Sequence, residues 1–164
     1  MTNLVQGSKE YPYHISVGAV LVNSERKVCA HYFDELQIGS RKAKDFYILM
    51  RETPEPGESL EATLERGLRE EFGATATTRH FIGSVLANIG GVESLKEKTT
   101  LYFLCDVIAQ EASLRENIDA ESSSKVGWYD PDFLIARMKQ QSRETGYEDI
   151  DESMILERAQ QYLS

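Results

Sequence analysis

The sequence predicts a mixed α/β fold, and two observations support this. Several apolar segments of strand length are present, and one of them, Thr99–Ile108, is apolar enough to be a central strand. One longer segment, Ser59–Phe72, has the amphipathic pattern of a helix, and strands precede and follow it without the regular alternation of a doubly wound fold. The length of 164 residues favours a single domain over residues 1–164.

The first third of the chain is predicted to contain three strands. His14–Val22 is rich in β-branched residues and ends at the turn signal Asn23-Ser24. Val28–Phe33 is predicted to be its partner strand, and Asp45–Met50 a short third strand. Between these two, Gly39–Lys44 is predicted to be a loop that carries three basic side chains.

The clearest element is the helix predicted over Ser59–Phe72. Regular structure is excluded in Thr53–Gly57, just before it, because that segment contains two prolines and a glycine. Ser59 suits the N-cap, since its hydroxyl can accept a hydrogen bond from a free N–H group of the first turn. Gly73 suits the left-handed residue that ends a helix.

The second half of the chain is predicted to alternate strands and loops before it becomes helical. The predicted strands are Thr75–Asn88, Thr99–Ile108 and Lys125–Tyr129, and the predicted loops are Ile89–Lys98 and Glu111–Ser124. Asp130 and Pro131 have the residue types of an N-cap and first helical position, which opens a helix to about Gln140. A last helix is predicted over Asp151–Leu163.

The net charge of −9 limits the expected partners. Nucleic-acid polymers and anionic membranes both attract basic surfaces, so neither is an expected partner. The longest apolar run, Val17–Val22, is far shorter than the roughly 20 residues of a membrane span. The N-terminal residues lack the pattern of a secretory signal. A cytoplasmic location is expected, with Cys29 and Cys105 as free buried thiols.

The predicted helix places a carboxylate on its apolar face. At about 100° per residue, one stripe contains Leu60, Leu64, Leu68 and Phe72. Glu71 falls inside this stripe, Glu61 also projects onto it, and Glu70 lies outside it beside Gly67. A buried carboxylate is costly unless it is paired or bound to a metal. The spacing alone leaves both a metal site and ordinary hydrogen bonding open for Glu71.

Residues 52–74, with the sequence ETPEPGESLEATLERGLREEFGA, resemble the signature of the Nudix hydrolase family. That signature is G-x5-E-x7-R-E-U-x-E-E-x-G-U, where U is a bulky aliphatic residue. The matching positions are Glu58, Arg66, Leu68, Glu70, Glu71 and Gly73. The pattern of predicted strands and the segment KVGWYDP at residues 125–131 are also similar to the family. The resemblance implies an α/β/α sandwich with a mixed β-sheet.

Two departures from the signature are opposite in kind. Glu52 stands at the first glycine, and Gly67 stands at the glutamate after the arginine. We hypothesise that Glu52, from the loop that lines the metal site in the family, occupies the space left at Gly67. A glycine inside a helix costs about 1 kcal/mol relative to alanine. That cost is easier to explain if Gly67 leaves room for a side chain, a metal or substrate. The alternative is drift after loss of activity, with Glu52 simply solvated. Ala74 is also smaller than the usual aliphatic residue.

The resemblance implies a metal-dependent hydrolase that cleaves a pyrophosphate bond in a nucleoside diphosphate linked to another group. The implied cofactor is Mg²⁺ or Mn²⁺, which carboxylate oxygens hold and which neutralises phosphate charge and acidifies water. Glu70 and Glu71 are the implied metal ligands, and Glu52 is a third candidate. Glu70, Arg66 and Glu52 are the candidate catalytic residues. Arg66 is expected to orient the cluster, and Glu58 to support Arg66 or the preceding loop.

Further candidate residues lie outside the signature. Arg41 and Arg51 are the candidate substrate contacts, since each flanks the strand before the signature. Glu93 and Glu97 are alternative sources of a general base, although exposed loop charges are the simpler interpretation. The histidines do not have the spacing of a metal site and are interpreted as structural: His14, His31 and His80.

A second function, from another class, also remains open. Gly67 favours a catalytically weak or inactive Nudix-fold domain that binds a nucleotide or a protein partner. The four retained signature residues argue against it, because a purely structural domain has less reason to keep them together: Glu58, Arg66, Glu70 and Glu71. A homodimer is a further possibility that the resemblance leaves open.

Overall fold

The computed structural model describes residues 13–89, 96–116, 123–147 and 150–163. The strands are β1 (Tyr13–Val22), β2 (Val28–Ile38), β3 (Arg41–Ile48), β4 (Met50–Glu52), β5 (Ala74–Ile89), β6 (Lys96–Gln110) and β7 (Lys125–Tyr129). The helices are α1 (Leu60–Phe72), α2 (Pro131–Thr145) and α3 (Ser153–Gln160).

All seven strands belong to one mixed sheet, with the main order β3-β2-β1-β6-β5. β4 also pairs with β1, and β7 pairs with β2. The β1–β6 pair is parallel, whereas the other pairs are antiparallel. The seven residues Ser16–Val22 of β1 are all buried, as expected for a central strand covered on both faces.

Helices cover both faces of the sheet, which confirms the predicted α/β/α sandwich. Alternate residues of β1 divide between two cores, because successive side chains of a strand point to opposite faces. Val17, Ala19 and Leu21 pack with Leu64, Leu68 and Phe72 of α1. Val20 and Val22 pack with Leu134 and Met138 of α2 and with Ile155 and Leu156 of α3. In the described parts of the chain, none of the helices has the length and hydropathy that crossing a bilayer needs.

Both predicted ends of α1 are confirmed. The Ser59 hydroxyl accepts a hydrogen bond of 3.1 Å from the backbone N–H of Ala62. Gly73 has a φ of 62°, and its N–H donates to the carbonyl oxygen of Arg69 at 2.9 Å. A Cβ atom on Gly73 would lie 2.2 Å from the carbonyl oxygen of Glu111, so glycine is required here for space as well as conformation.

The predicted apolar stripe is wrong in the first turn of α1. Leu60 is 39% exposed, and Glu61 is also exposed. The buried side instead includes Thr63 and Gly67 together with the three later apolar residues of the stripe. It is rotated towards Gly67 because Met50 of β4 packs against that glycine.

The loop predicted over Gly39–Lys44 is also wrong. β2 continues to Ile38 and β3 begins at Arg41, so that only Gly39 and Ser40 form the turn. The three basic residues made this segment look like a loop. In the hairpin they are tolerated because one strand face is exposed, and Lys42 pairs with Glu35 of β2 at 2.6 Å.

Several element boundaries differ from the predicted ones. β6 begins at Lys96 and not at Thr99, so the predicted loop before it is too long, and residues 90–95 lie outside the described ranges. α2 continues to Thr145, five residues beyond the predicted end at Gln140. A short 3-10 helix, Ala112–Leu114, lies in the segment predicted to be a loop.

The two cysteines are free and buried, as predicted. Cys29 lies in β2 and Cys105 in β6. Burial raises the pKa of each thiol to about 12, because a thiolate is poorly solvated inside the protein.

Candidate active site

Arg66 lies at the centre of the signature residues. Its Nε donates to Oε1 of Glu58 at 3.0 Å, and its Nη2 donates to Oε2 of the same carboxylate at 2.9 Å. Nη2 also donates to the carbonyl oxygen of Thr53 at 2.9 Å. This two-pronged geometry is the strongest form of an arginine–carboxylate pair. It ties α1 to the loop that precedes it.

Glu58 is fully engaged in supporting that loop. Besides Arg66, its Oε2 accepts from the hydroxyl of Thr63 at 2.8 Å and from the backbone N–H of Glu55 at 2.9 Å. The hydrogen bonds from Arg66 are the main reason why the pKa of Glu58 falls to about 2. Glu58 therefore stays ionised and holds Arg66 in place.

The third nitrogen of Arg66 brings two carboxylates from different elements together. Nη1 lies 3.2 Å from Oε2 of Glu52 and 3.4 Å from Oε2 of Glu70. The Glu52 carboxylate also accepts from the N–H of Thr53 at 2.8 Å. Burial raises the pKa of Glu52 above its usual range, although the Thr53 N–H and Arg66 act in the opposite direction. Glu52 and Glu70 are thus neighbours around one cation.

Glu52 lies directly over Gly67. A Cβ atom on Gly67 would be 2.8 Å from Cβ of Glu52 and 2.8 Å from Sδ of Met50. Glu52 was expected to lie in a loop. It is instead the last residue of β4. Met50 and Glu52 are two apart in the strand, so both side chains face α1.

Glu71 is only 12% exposed, as its projection onto the apolar face predicted. Its Oε2 lies 2.7 Å from Nε2 of His31, a fully buried residue of β2. Burial, together with the positive charges of Arg115 and Arg51, lowers the pKa of His31 to about 3. His31 is therefore neutral near pH 7. The interpretation of His31 as merely structural overlooked this contact with a signature residue.

Arg51 points away from the Arg66 cluster. It lies between Met50 and Glu52 in β4, so its side chain leaves from the opposite face of the strand. There its Nε is 3.7 Å from Oε1 of the buried Glu152.

Arg41 is found at the start of β3, where its Nη1 donates to the carbonyl oxygen of Thr145 at 2.8 Å. Thr145 is the last residue of α2. The structure therefore gathers Glu52, Glu70 and Arg66, and it gives Arg41 a partner on another element.

The site residues have the donor atoms that a metal needs. Their present arrangement is not that of a complete metal site. Carboxylate oxygens are the ligands that hard divalent cations prefer. Within the ranges described, no three His, Cys, Asp or Glu side chains are placed to hold one ion together. Glu52 and Glu70 face Arg66, and Glu71 faces His31. A complete ligand set requires some of these side chains to turn.

Of the two alternative base residues, only Glu97 lies in the part of the chain that the structure describes. Glu93 lies outside the described residues. Glu97 is an exposed residue of β6 and not of a loop.

Two residues next to the site were not identified from the sequence. Arg115 and Ser124 both lie in the crossover between β6 and β7 and connect to His31. The position of His31 had one weak indication. Cys29 and His31 are two apart in β2 and so share one face of the strand, and Cys29 belongs to the core beneath α1. The helix residue that this face meets could not be predicted from the sequence.

A sequence profile of the NUDIX domain matches residues 12–149 of the chain. Among solved structures, a MutT protein from Methanosarcina mazei Go1 is similar with a TM-score of 0.58 and 21% identity, covering 93% of this chain and 96% of that one. A NUDIX hydrolase from Nitrosomonas europaea is similar with a TM-score of 0.58 and 15% identity, over 90% of this chain and 86% of the other.

The E. coli ORF135 protein has a TM-score of 0.57 and 16% identity, with coverage of 93% of this chain and 91% of its own. No curated protein sequence matches. These structural likenesses establish the fold, and the profile extends over most of the chain, including the helix and strands that surround Arg66. The chain belongs to the NUDIX domain family.

Proposed function

We propose that the chain is a divalent-metal-dependent hydrolase that cleaves a pyrophosphate bond in a nucleoside diphosphate linked to another group. Family membership supports hydrolysis of this type. The observation that carries the proposal is the convergence of Glu52 and Glu70 on one nitrogen of Arg66, beside the space at Gly67. Arg66 already lies between these carboxylates, but Glu52, Glu58 and Glu70 share its single positive charge, so the cluster favours a further cation.

In this proposal Glu70, Glu71 and Glu52 hold Mg²⁺ or Mn²⁺. A bound divalent ion neutralises phosphate charge and lowers the pKa of bound water. Arg66 positions Glu70 and Glu52 through Nη1, while its other two nitrogens are fixed on Glu58. Glu52 thereby takes the place of the helix carboxylate that the signature has at Gly67.

Arg41 and Arg51 stay predicted substrate contacts in this proposal. Each already has a protein partner, Thr145 for Arg41 and Glu152 for Arg51. A phosphate group would have to compete with these partners. The substitutions Arg41→Gln and Arg51→Gln should then raise KM with little change in kcat if the predicted contacts form. The cytoplasmic location and a homodimer also stay predictions.

The proposal is tested with a panel of nucleoside diphosphate derivatives in Mg²⁺ or Mn²⁺, with phosphate released by a coupled phosphatase as the readout. Turnover should require the metal, and Glu70→Gln should reduce kcat by at least about 100-fold. Glu65→Gln is the matched control, since Glu65 is an exposed glutamate of the same helix. Glu52→Ala and Glu52→Gly test the third ligand, and unchanged activity and Mg²⁺ affinity in both would exclude it.

A second candidate function is a nucleotide- or protein-binding domain without turnover. Two observations favour it, namely Gly67 in the signature and the lack of a three-ligand arrangement in the described ranges. Nucleotide binding measured by calorimetry, with no turnover of any panel member by a folded protein, would favour this candidate over the hydrolase.

A further inference from the structure

A chain of hydrogen bonds leads from Arg115 to Glu71. Nη2 of Arg115 donates to Oγ of Ser124 at 2.6 Å, and Nη1 donates to the backbone oxygen of Ser124 at 2.8 Å. Oγ of Ser124 lies 2.7 Å from Nδ1 of His31. Nε2 of His31 lies 2.7 Å from Oε2 of Glu71. The chain thus ends on one of the signature glutamates.

The chemistry of the two ends and a neutral imidazole between them give one consistent direction for the hydrogen bonds. A guanidinium group can only donate, and an ionised carboxylate can only accept. A hydroxyl that accepts from Arg115 can also donate, and the short contact of 2.7 Å directs the Ser124 hydroxyl at Nδ1 of His31. Nε2 of His31 then carries the hydrogen that Glu71 accepts. Both ring nitrogens are satisfied in this single arrangement.

Packing holds the imidazole in place. His31 is fully buried, and its ring centroid lies 4.8 Å from that of Phe72, the residue after Glu71. Rotation of the ring would leave a buried nitrogen unpaired, which costs about 1–3 kcal/mol. The histidine therefore has one orientation relative to the end of α1.

The segment that carries Arg115 is anchored to the same end of α1. The N–H of Glu116 donates to the carbonyl oxygen of Glu70 at 2.8 Å, and the N–H of Glu111 donates to that of Gly73 at 2.8 Å. Both ends of the hydrogen-bond chain are thus held against one helix terminus. A shift of the crossover segment would move Arg115 relative to Glu71.

We propose that His31 is a positioning residue for the Glu71 carboxylate, and that Arg115, acting through Ser124, fixes the orientation of the imidazole. This inference rests on the proposed function in that Glu71 is taken as a metal ligand. A carboxylate held at one oxygen presents the other in a fixed direction, which reduces the ordering that metal binding requires. Partners of this kind support metal ligands and typically alter metal affinity by 10- to 100-fold.

The first test measures Mn²⁺ affinity by electron paramagnetic resonance. His31→Leu removes the donor and should weaken binding by about 10- to 100-fold. His31→Gln retains an N–H donor and should recover most of that loss. Arg115→Leu leaves the histidine in place and should weaken binding in the same direction by a smaller factor. His80→Gln is the control, because His80 is exposed and its ring contacts that of Tyr162.

The second test needs neither metal nor activity. In ¹⁵N-detected NMR spectra of the metal-free protein, His31 should be a neutral imidazole with its hydrogen on Nε2. The ¹³C signal of the Glu71 carboxylate should shift in Arg115→Leu, which lies two hydrogen bonds beyond His31. His80→Gln should leave that carboxylate signal unchanged.

The outcomes separate this inference from the proposed function. Unchanged Mn²⁺ affinity in a folded His31→Leu protein, even with a lower Tm, would overturn the positioning role. A hydrogen on Nδ1 of His31 would overturn it as well. A parent protein that binds no Mn²⁺ contradicts the proposed function, and the metal-free NMR result then decides alone whether Arg115 controls the Glu71 carboxylate.

Discussion

Placed on Gly67, a Cβ atom would lie 2.8 Å from the Cβ of Glu52. Carbon atoms in ordinary contact are about 3.5–4.0 Å apart, so the two positions cannot both carry a side chain without movement of α1 or β4. Glycine in the helix and glutamate in the strand therefore depend on each other. This geometry connects the two departures of the chain from the family signature.

The first prediction concerns exchange of these two residues. Gly67→Glu alone should destabilise the protein by about 1–3 kcal/mol, because the new side chain overpacks against Glu52 and Met50. The double substitution Glu52→Gly with Gly67→Glu removes the clash with Glu52, leaves only the flexible Met50 side chain to move aside, and places a carboxylate on the helix. It should recover stability and metal affinity, as measured by chemical denaturation and Mn²⁺ titration.

Gly67→Ala provides the matched control for this exchange. Its Cβ meets the same atoms, but it adds no carboxylate, so any loss of stability without Glu52→Gly reports packing alone. If Gly67→Glu is equally destabilising with and without Glu52→Gly, the two positions are not coupled. The exchange hypothesis would then be wrong.

The second prediction concerns the acid stability that Glu58 provides. Its folded pKa of about 2 is below the ordinary value of 4.5, because Arg66 stabilises the ionised form. As the pH falls below about 4.5, the unfolded chain takes up this proton before the folded protein does. The contribution, on the order of 2 kcal/mol, is therefore present above pH 4.5 and is lost as the pH falls towards 2.

Glu58→Gln should abolish this part of the pH dependence. The free energy of unfolding, measured by urea denaturation between pH 2 and 7, should decline less steeply on the acid side in the variant than in the parent. Glu61→Gln is the control, since Glu61 is an exposed glutamate at the start of α1, three residues after Glu58. Parallel curves for the parent and Glu58→Gln would show that Arg66 does not favour the ionised form.

The third prediction concerns the buried carboxylate of Glu152, which is 1% exposed. One oxygen accepts from the backbone N–H of Leu49 at 2.9 Å, and the other accepts from the hydroxyl of Tyr102. Glu152→Ala leaves both donors buried without this acceptor. It should lower the free energy of unfolding by about 3 kcal/mol in urea denaturation.

Glu157→Ala is the comparison, because Glu157 lies in α3, just after Glu152, and pairs with Lys139 at the surface. An exposed ion pair contributes little, so this change should stay within about 0.5 kcal/mol of the parent. Equal effects of the two substitutions would contradict a structural role for the buried carboxylate.

The fourth prediction concerns the two thiols. With pKa values near 12 and full burial, Cys29 and Cys105 should not react with an aromatic disulfide reagent in the native protein at pH 8. Both should react once the protein is unfolded in guanidinium. Rapid reaction of one thiol in the native protein would instead reveal local opening of β2 or β6.

The helix that carries the site could be predicted because its signals are local. Ser59 and Gly73 set its ends through contacts within four residues, and both act as predicted. The closeness of Glu52 to Gly67 was a hypothesis from the resemblance, and the geometry agrees with it. The hairpin at Gly39 was missed because its stability comes from pairing between strands, which composition does not reveal.

The surroundings of Glu71 could not be predicted from the sequence. Its hydrogen bond to His31 joins residues 40 apart, and the bond from Ser124 to His31 joins residues 93 apart. Such contacts depend on which strand lies beneath the helix and on where a long crossover returns. The amphipathic pattern showed only that Glu71 faces inwards.

The parallel pairing of β1 with β6 also has a consequence for synthesis on the ribosome. Ser16 and Thr100, whose hydroxyl groups are 3.0 Å apart, are separated by 84 residues. The first strand therefore leaves the ribosome long before its central neighbour exists, and the edge of Val17–Val22 that pairs with β6 stays open even after β2 and β4 have emerged. Contacts this distant in sequence slow folding and leave strand edges open to wrong pairing. The nascent chain is thus most vulnerable to aggregation until β6 has emerged.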